Sequence, residues 1–126
     1  MLRKAGIIGY PLGHSISPHF QNAAFEFSGI KGSYKAWPTE PKDLADKVNA
    51  LRGTSFMGAN VTIPYKEAVI ELLDEIDDWA EKVGSVNTIV NDCGTLIGYN
   101  TDTAGFIQAI SEYGNYDPSG EAVLLI

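Results

Sequence analysis

Gly58-Ala59-Asn60-Val61-Thr62-Ile63-Pro64-Tyr65-Lys66 opens as a strand of small and apolar residues and runs into a proline. Pro64 has no N–H to give to a strand ladder, so pairing stops as the chain reaches it. Side chains alternate along a strand, which puts Asn60 and Thr62 on one side and Ala59 and Val61 on the other. Two neutral hydrogen-bonding groups and the amine of Lys66 therefore converge at one strand end. A pocket for a polyhydroxylated molecule can be built in this way. Taken alone, the stretch reads more readily as an ordinary edge strand followed by a solvated lysine.

Upstream, Ala5-Gly6-Ile7-Ile8-Gly9-Tyr10 is a short apolar run ended by Pro11, a buried first strand. A loop leads to Ser17-Pro18, which reads as a serine N-cap with proline at the first helical position. Phe20, Ala23, Ala24 and Phe27 recur at helical spacing, and Gly29 ends that helix. Ser33-Tyr34-Lys35-Ala36-Trp37 alternates and stops at Pro38, a second strand. From Pro41 to Leu51 a helix presents Leu44, Val48 and Leu51 on one face, with Gly53 as terminator.

Downstream, the spacing of Val69, Ile70, Leu72, Leu73 and Ile76 predicts a helix over 66–76, and a second helical piece over 77–83 with Trp79 and Val83 inward. Residues 86–91 and 95–99 are two short strands joined by Asp92-Cys93-Gly94, a hairpin and hence an antiparallel pair. A helix over 102–113 follows, N-capped by Thr101 or Asp102. Residues 115–120 are turn-rich, and Glu121-Ala122-Val123-Leu124-Leu125-Ile126 reads as a strand buried on both faces. Alternating strands and helices predict an α/β fold: a three-layer sandwich, its sheet mainly parallel with one antiparallel pair and helices on both faces.

The chain of 126 residues is enough for one domain with a real core. A net charge of −7 argues against a nucleic-acid partner, though a local lysine still allows an anionic small molecule. The apolar runs fall short of the roughly 20 residues of a membrane span, and the N-terminus lacks a secretory pattern, so no membrane partner and a cytoplasmic location are expected. Cys93 is the single cysteine, and His14 and His19 have no ligand spacing with other residues, so no metal is expected.

Gly13-His14-Ser15-Ile16-Ser17-Pro18 places two serines two apart in a loop entering a helix. Hydroxyls both donate and accept, which suits a carboxylate or a substrate's own hydroxyls, and helix-start N–H groups favour an anion. On spacing alone, Ser17 as a plain cap and Ser15 as a solvated loop residue is the reading that wins. Gly6-Ile7-Ile8-Gly9 does not follow the glycine pattern of a dinucleotide loop.

In order, Gly13-His14-Ser15-x-Ser17-Pro18, Gly58 to Lys66, Val86-Asn87-Thr88 and Asn100-Thr101-Asp102-x-x-Gly105 closely resemble the substrate-binding domain of the shikimate dehydrogenase family. The resemblance spans about residues 5–112. It implies a shikimate-binding catalytic domain over 1–112, and over 113–126 a linker and the first strand of a truncated NADP-binding Rossmann domain. The family reduces 3-dehydroshikimate to shikimate with NADPH on the route to chorismate and the aromatic amino acids. By resemblance, Ser15 and Ser17 hold the substrate carboxylate, and Asn60, Thr62, Asn87 and Asp102 bind ring hydroxyls. Lys66 matches the catalytic lysine, paired with Asp102, and Asp78 matches an acidic residue near the nicotinamide. Gln21 stands where the family often has histidine. The expected partners are shikimate or 3-dehydroshikimate, NADP held mainly by residues beyond Ile126, and a second copy of the chain as a homodimer. These residues alone are expected to be inactive. A quinate/shikimate dehydrogenase is the rival enzyme, and a non-catalytic module binding shikimate or quinate the rival of another class.

Overall fold

The computed structural model describes residues 2–126. Six strands, β1 (Arg3–Gly9), β2 (Gly32–Pro38), β3 (Gly58–Val61), β4 (Glu75–Ile76), β5 (Thr88–Asp92) and β6 (Thr95–Tyr99), form one sheet in the order β2-β1-β3-β5-β6-β4. β1 pairs in parallel with β2 and β3, and β4 with β6, while β5 runs antiparallel to both neighbours. The mixed α/β sheet with helices α1 (Ser17–Phe27), α2 (Leu44–Ala50), α3 (Asp78–Val83) and α4 (Thr101–Glu112) agrees with the expected architecture.

Alternation along the strands makes two cores. Ile8, Ala59, Val61, Ile89 and Leu96 face one way and pack with Leu44, Val48 and Leu51 of the α2 region and Ala80 of α3. Ala5, Ile7 and Tyr34 face the other way, packed by Phe25 of α1. Register also decides where chemistry can gather. Ile8 lies opposite Val61, Asn60 opposite Thr88, and Thr88 opposite Tyr99. The ends of β1, β3 and β6 and the start of β5 therefore share one edge of the sheet, where loops of an open α/β sheet form ligand clefts.

Several elements depart from the expectation, each for a local reason. Residues 66–76 are not a helix: turns and a short 3-10 piece, Ile70–Leu72, lead into β4. Asp74 decides this, because its carboxylate accepts from the Leu96 N–H (2.7 Å) and is clamped by Arg52, which pulls the chain out to pair with β6. Those contacts hold the Asp74 carboxyl below the usual carboxylate range, the Arg52 hydrogen bond first and the Leu96 N–H next. In α3, Trp79 and Val83 face outward, 61% and 47% exposed, and the small Ala80 is the residue that packs on the sheet.

α1 is N-capped at Ile16 without a side-chain bond, so Ser17 is its first residue and not its cap. Its Phe20–Phe27 stripe points away from the sheet, because the Asn22 amide bonds both the N–H and the carbonyl of Tyr34 (2.9 Å each) and turns Phe25 inward. The cap of α4 is Asn100, whose Oδ1 accepts from Thr103 N (2.9 Å), not Thr101 or Asp102. Residues 121–126, expected as a buried strand, run as exposed coil with no neighbouring strand paired to them. Among the described residues no helix is long and apolar enough to cross a membrane.

Candidate active site

The loop after β1 carries the two serines. Ser15 Oγ accepts from the backbone N–H of Ser17 at 3.3 Å, which closes a tight turn at the entry to α1. Ser15, Ser17, His14 and Thr62 line one cavity of about 600 Å3, walled by Tyr10, Leu12 and Ile63. Its lining contains no carboxylate, so an anion there meets hydroxyls and N–H groups and no opposing charge. Gly9 makes the room: a Cβ at that position would run into the Thr62 methyl and the Ile63 carbonyl.

Lys66 follows a fixed point. Tyr65 is buried and donates its hydroxyl to the Thr39 carbonyl at 2.6 Å, and the Lys66 carbonyl accepts from Val86 N at 2.8 Å. With its neighbours pinned, the Lys66 side chain projects into a larger cavity of about 820 Å3 that shares Ile63 with the first and is also lined by Glu67, Glu71 and Ser85. Asp102 reaches it from the first turn of α4, with Oδ2 2.6 Å from Lys66 Nζ. An exposed pair of this kind adds about 0–1 kcal/mol to stability. Its interest is geometric: an amine held by a carboxylate beside a cavity.

Asn87 sits behind this pair, buried just before β5. Its Oδ1 accepts from Thr101 N (2.9 Å), and its Nδ2 donates to Thr101 Oγ1 (2.7 Å). Asn60 faces the α1 side of the sheet, where Tyr34, Gln21 and Thr88 border a smaller cavity of about 240 Å3. Asp78 stands apart, exposed at the start of α3. Ser15, Ser17 and Thr62 are thus brought together, as are Lys66 and Asp102, with Asn87 linked to Asn60 through Thr88.

A family model described as the shikimate dehydrogenase substrate binding domain matches residues 7–89. The chain belongs to that family. It is 44% identical over 121 residues to the shikimate dehydrogenase (NADP(+)) of Geobacillus kaustophilus, covering 96% of this chain and 44% of that protein. The corresponding enzyme of Salinibacter ruber is 45% identical over 119 residues, with 94% and 42% covered. A solved shikimate 5-dehydrogenase of Thermus thermophilus in complex with shikimate has a TM-score of 0.84 and 38% identity, over 95% of this chain and 45% of that one. The chain therefore spans less than half the length of these relatives. A 5-ketofructose reductase of a Gluconobacter species reaches a TM-score of 0.83 at 28% identity, over 89% of this chain and 40% of that one. The fold by itself does not choose the substrate.

Family members named for NADP raise the question of where a dinucleotide would sit. Its phosphates need N–H groups or cations, and Asp78, a carboxylate opening a six-residue helix, supplies neither. Beside it, Trp79 and Ile107 flank an apolar groove of about 370 Å3 between α3 and α4. The residues here fit the neutral nicotinamide end and do not fit the phosphates. Among the described residues no group of three or more His, Cys, Asp or Glu could hold a metal ion. Sequence reasoning passed over Tyr34, Thr88 and Thr101. Thr88 lay inside a quoted motif, but its bond to Asn60 depends on the β3–β5 register, which one sequence does not display.

Proposed function

We propose that this chain is the shikimate-binding domain (residues 1–112) of a cytoplasmic, NADPH-dependent shikimate dehydrogenase that reduces 3-dehydroshikimate to shikimate for aromatic amino acid synthesis. Residues 113–126 then form the linker and first strand of its nicotinamide-binding domain, and the chain by itself turns over no substrate. A homodimer is the assembly this reading assigns to the whole protein. The observation that carries it is the Lys66–Asp102 pair, 2.6 Å apart, with Lys66 lining a cavity that shares Ile63 with the one lined by Ser15, Ser17 and Thr62.

In this reading the substrate carboxylate takes the acid-free cavity at Ser15 and Ser17, since Glu67 and Glu71 would repel it from the larger one. Thr62, Asn60, Asn87 and Asp102 take ring hydroxyls. A bound nicotinamide supplies the hydride, with Asp78 near its neutral end. As the ketone carbon is reduced, its oxygen gains charge and needs a proton. Lys66 Nζ delivers that proton, and Asp102 holds the amine and orients it.

The test is made in this domain joined to its nicotinamide-binding domain. Lys66→Ala is expected to lower kcat about 10²- to 10⁴-fold with little change in KM for shikimate. Asp102→Asn is expected to damage both, because it touches a hydroxyl and the amine. Near-normal kcat in Lys66→Ala would remove Lys66 from the chemistry.

A further inference from the structure

Behind the candidate site runs a continuous series of hydrogen bonds. Tyr34 Oη lies 2.7 Å from Asn60 Oδ1. Asn60 Nδ2 lies 3.2 Å from Thr88 Oγ1 and 3.4 Å from the Asn87 carbonyl. Thr88 Oγ1 lies 3.0 Å from Asn87 Oδ1, which also faces Thr101 N, while Asn87 Nδ2 faces Thr101 Oγ1.

Backbone groups fix the direction of every bond. A backbone carbonyl only accepts, so Asn60 turns its nitrogen toward Asn87 and its oxygen toward Tyr34, which must donate. A backbone N–H only donates, so Asn87 turns its oxygen toward Thr101 N and its nitrogen toward Thr101 Oγ1. Thr88 has one hydroxyl hydrogen. Having accepted from Asn60, it gives that hydrogen to Asn87. Burial keeps the Tyr34 phenol protonated, its pKa pushed up to about 12, so the first donor persists through the neutral range.

We propose that this one-way series, Tyr34 to Asn60 to Thr88 to Asn87 to Thr101, locks the Asn87 carboxamide so that its second Nδ2 hydrogen donates to a substrate hydroxyl. Tyr34 and Thr88 are then positioning residues for hydroxyl selectivity. Asn60, with both amide hydrogens committed to protein, has only an Oδ1 lone pair for a substrate hydroxyl. The series rests on the reading of this site as a shikimate site.

The experiment compares wild type, Thr88→Val and Thr88→Ser of this chain with four ligands by calorimetry: shikimate and its three monodeoxy ring analogues. Thr88→Val is expected to bind shikimate about tenfold more weakly and to lose nothing for one deoxy analogue, the one lacking the hydroxyl that Asn87 reads. Thr88→Ser is expected to restore shikimate affinity. An equal loss for all four ligands, or no loss, overturns the series. If wild type binds none of the four, the shikimate reading fails instead. The series is then judged without ligand, from the side-chain amide NMR signals of Asn87. Tyr34→Phe and Thr88→Val should shift them and Thr88→Ser should not; signals unmoved in the first two overturn it.

Discussion

Tyr34 is 4% exposed, and burial alone pushes its phenol from 10.0 up to about 12. A group whose folded value lies above its unfolded one contributes stability that is complete below the unfolded value. That contribution is lost as pH rises through the folded value, here between about 10 and 12. About 2–3 kcal/mol is at stake, at about 1.4 kcal/mol per tenfold change. Urea unfolding of wild type and Tyr34→Phe should therefore converge as the pH climbs from 9 to 12, with the wild type losing more; parallel curves would show that the phenol ionises freely. Lys66, Asp102 and the two serines were legible in the sequence because their motifs occur in family order. Tyr34 and Thr88 were not, because their worth lies in strand register: Asn60 lies opposite Thr88 only once β3 and β5 have paired.

The β3–β5 junction shows how an element constrains the site. Gly58 has φ +146°, and a Cβ there would collide with the Ile89 carbonyl on the neighbouring strand. Gly58→Ala is expected to cost about 2–4 kcal/mol by chemical denaturation, from backbone strain and forced separation of the strands. A change under 0.5 kcal/mol would mean that the pairing is looser than described. Strands β1 and β2 were legible from an apolar run and an alternating one, each stopped by proline, and β5 and β6 from the hairpin turn between them. The 66–76 stretch was not, because the partners of Asp74, Arg52 and the Leu96 N–H, are each 22 residues away in sequence. α1 was read at the right place with the wrong face inward, since Asn22, not the apolar stripe, docks it to β2. In α3 size won over hydrophobicity, with Ala80 approaching the sheet and Trp79 left for the groove beside α4.

At the scale of the molecule, the sheet order brings four chain segments to one edge: the loop after β1, the end of β3, the approach to β5 and the start of α4. No sequence spacing displays that convergence, yet strand–helix alternation with one hairpin was enough to predict the layers. The apolar run at 123–126 is 75% to 111% exposed and pairs with no strand of this sheet. The central claim is that this edge is a shikimate site, and the direct test is an NMR titration of the chain with shikimate. The account predicts saturable shifts at Ser15, Ser17, Thr62, Lys66, Asn87 and Asp102, with α2 and the tail unmoved. Saturable shifts confined to other surfaces, or none at millimolar shikimate, would contradict it.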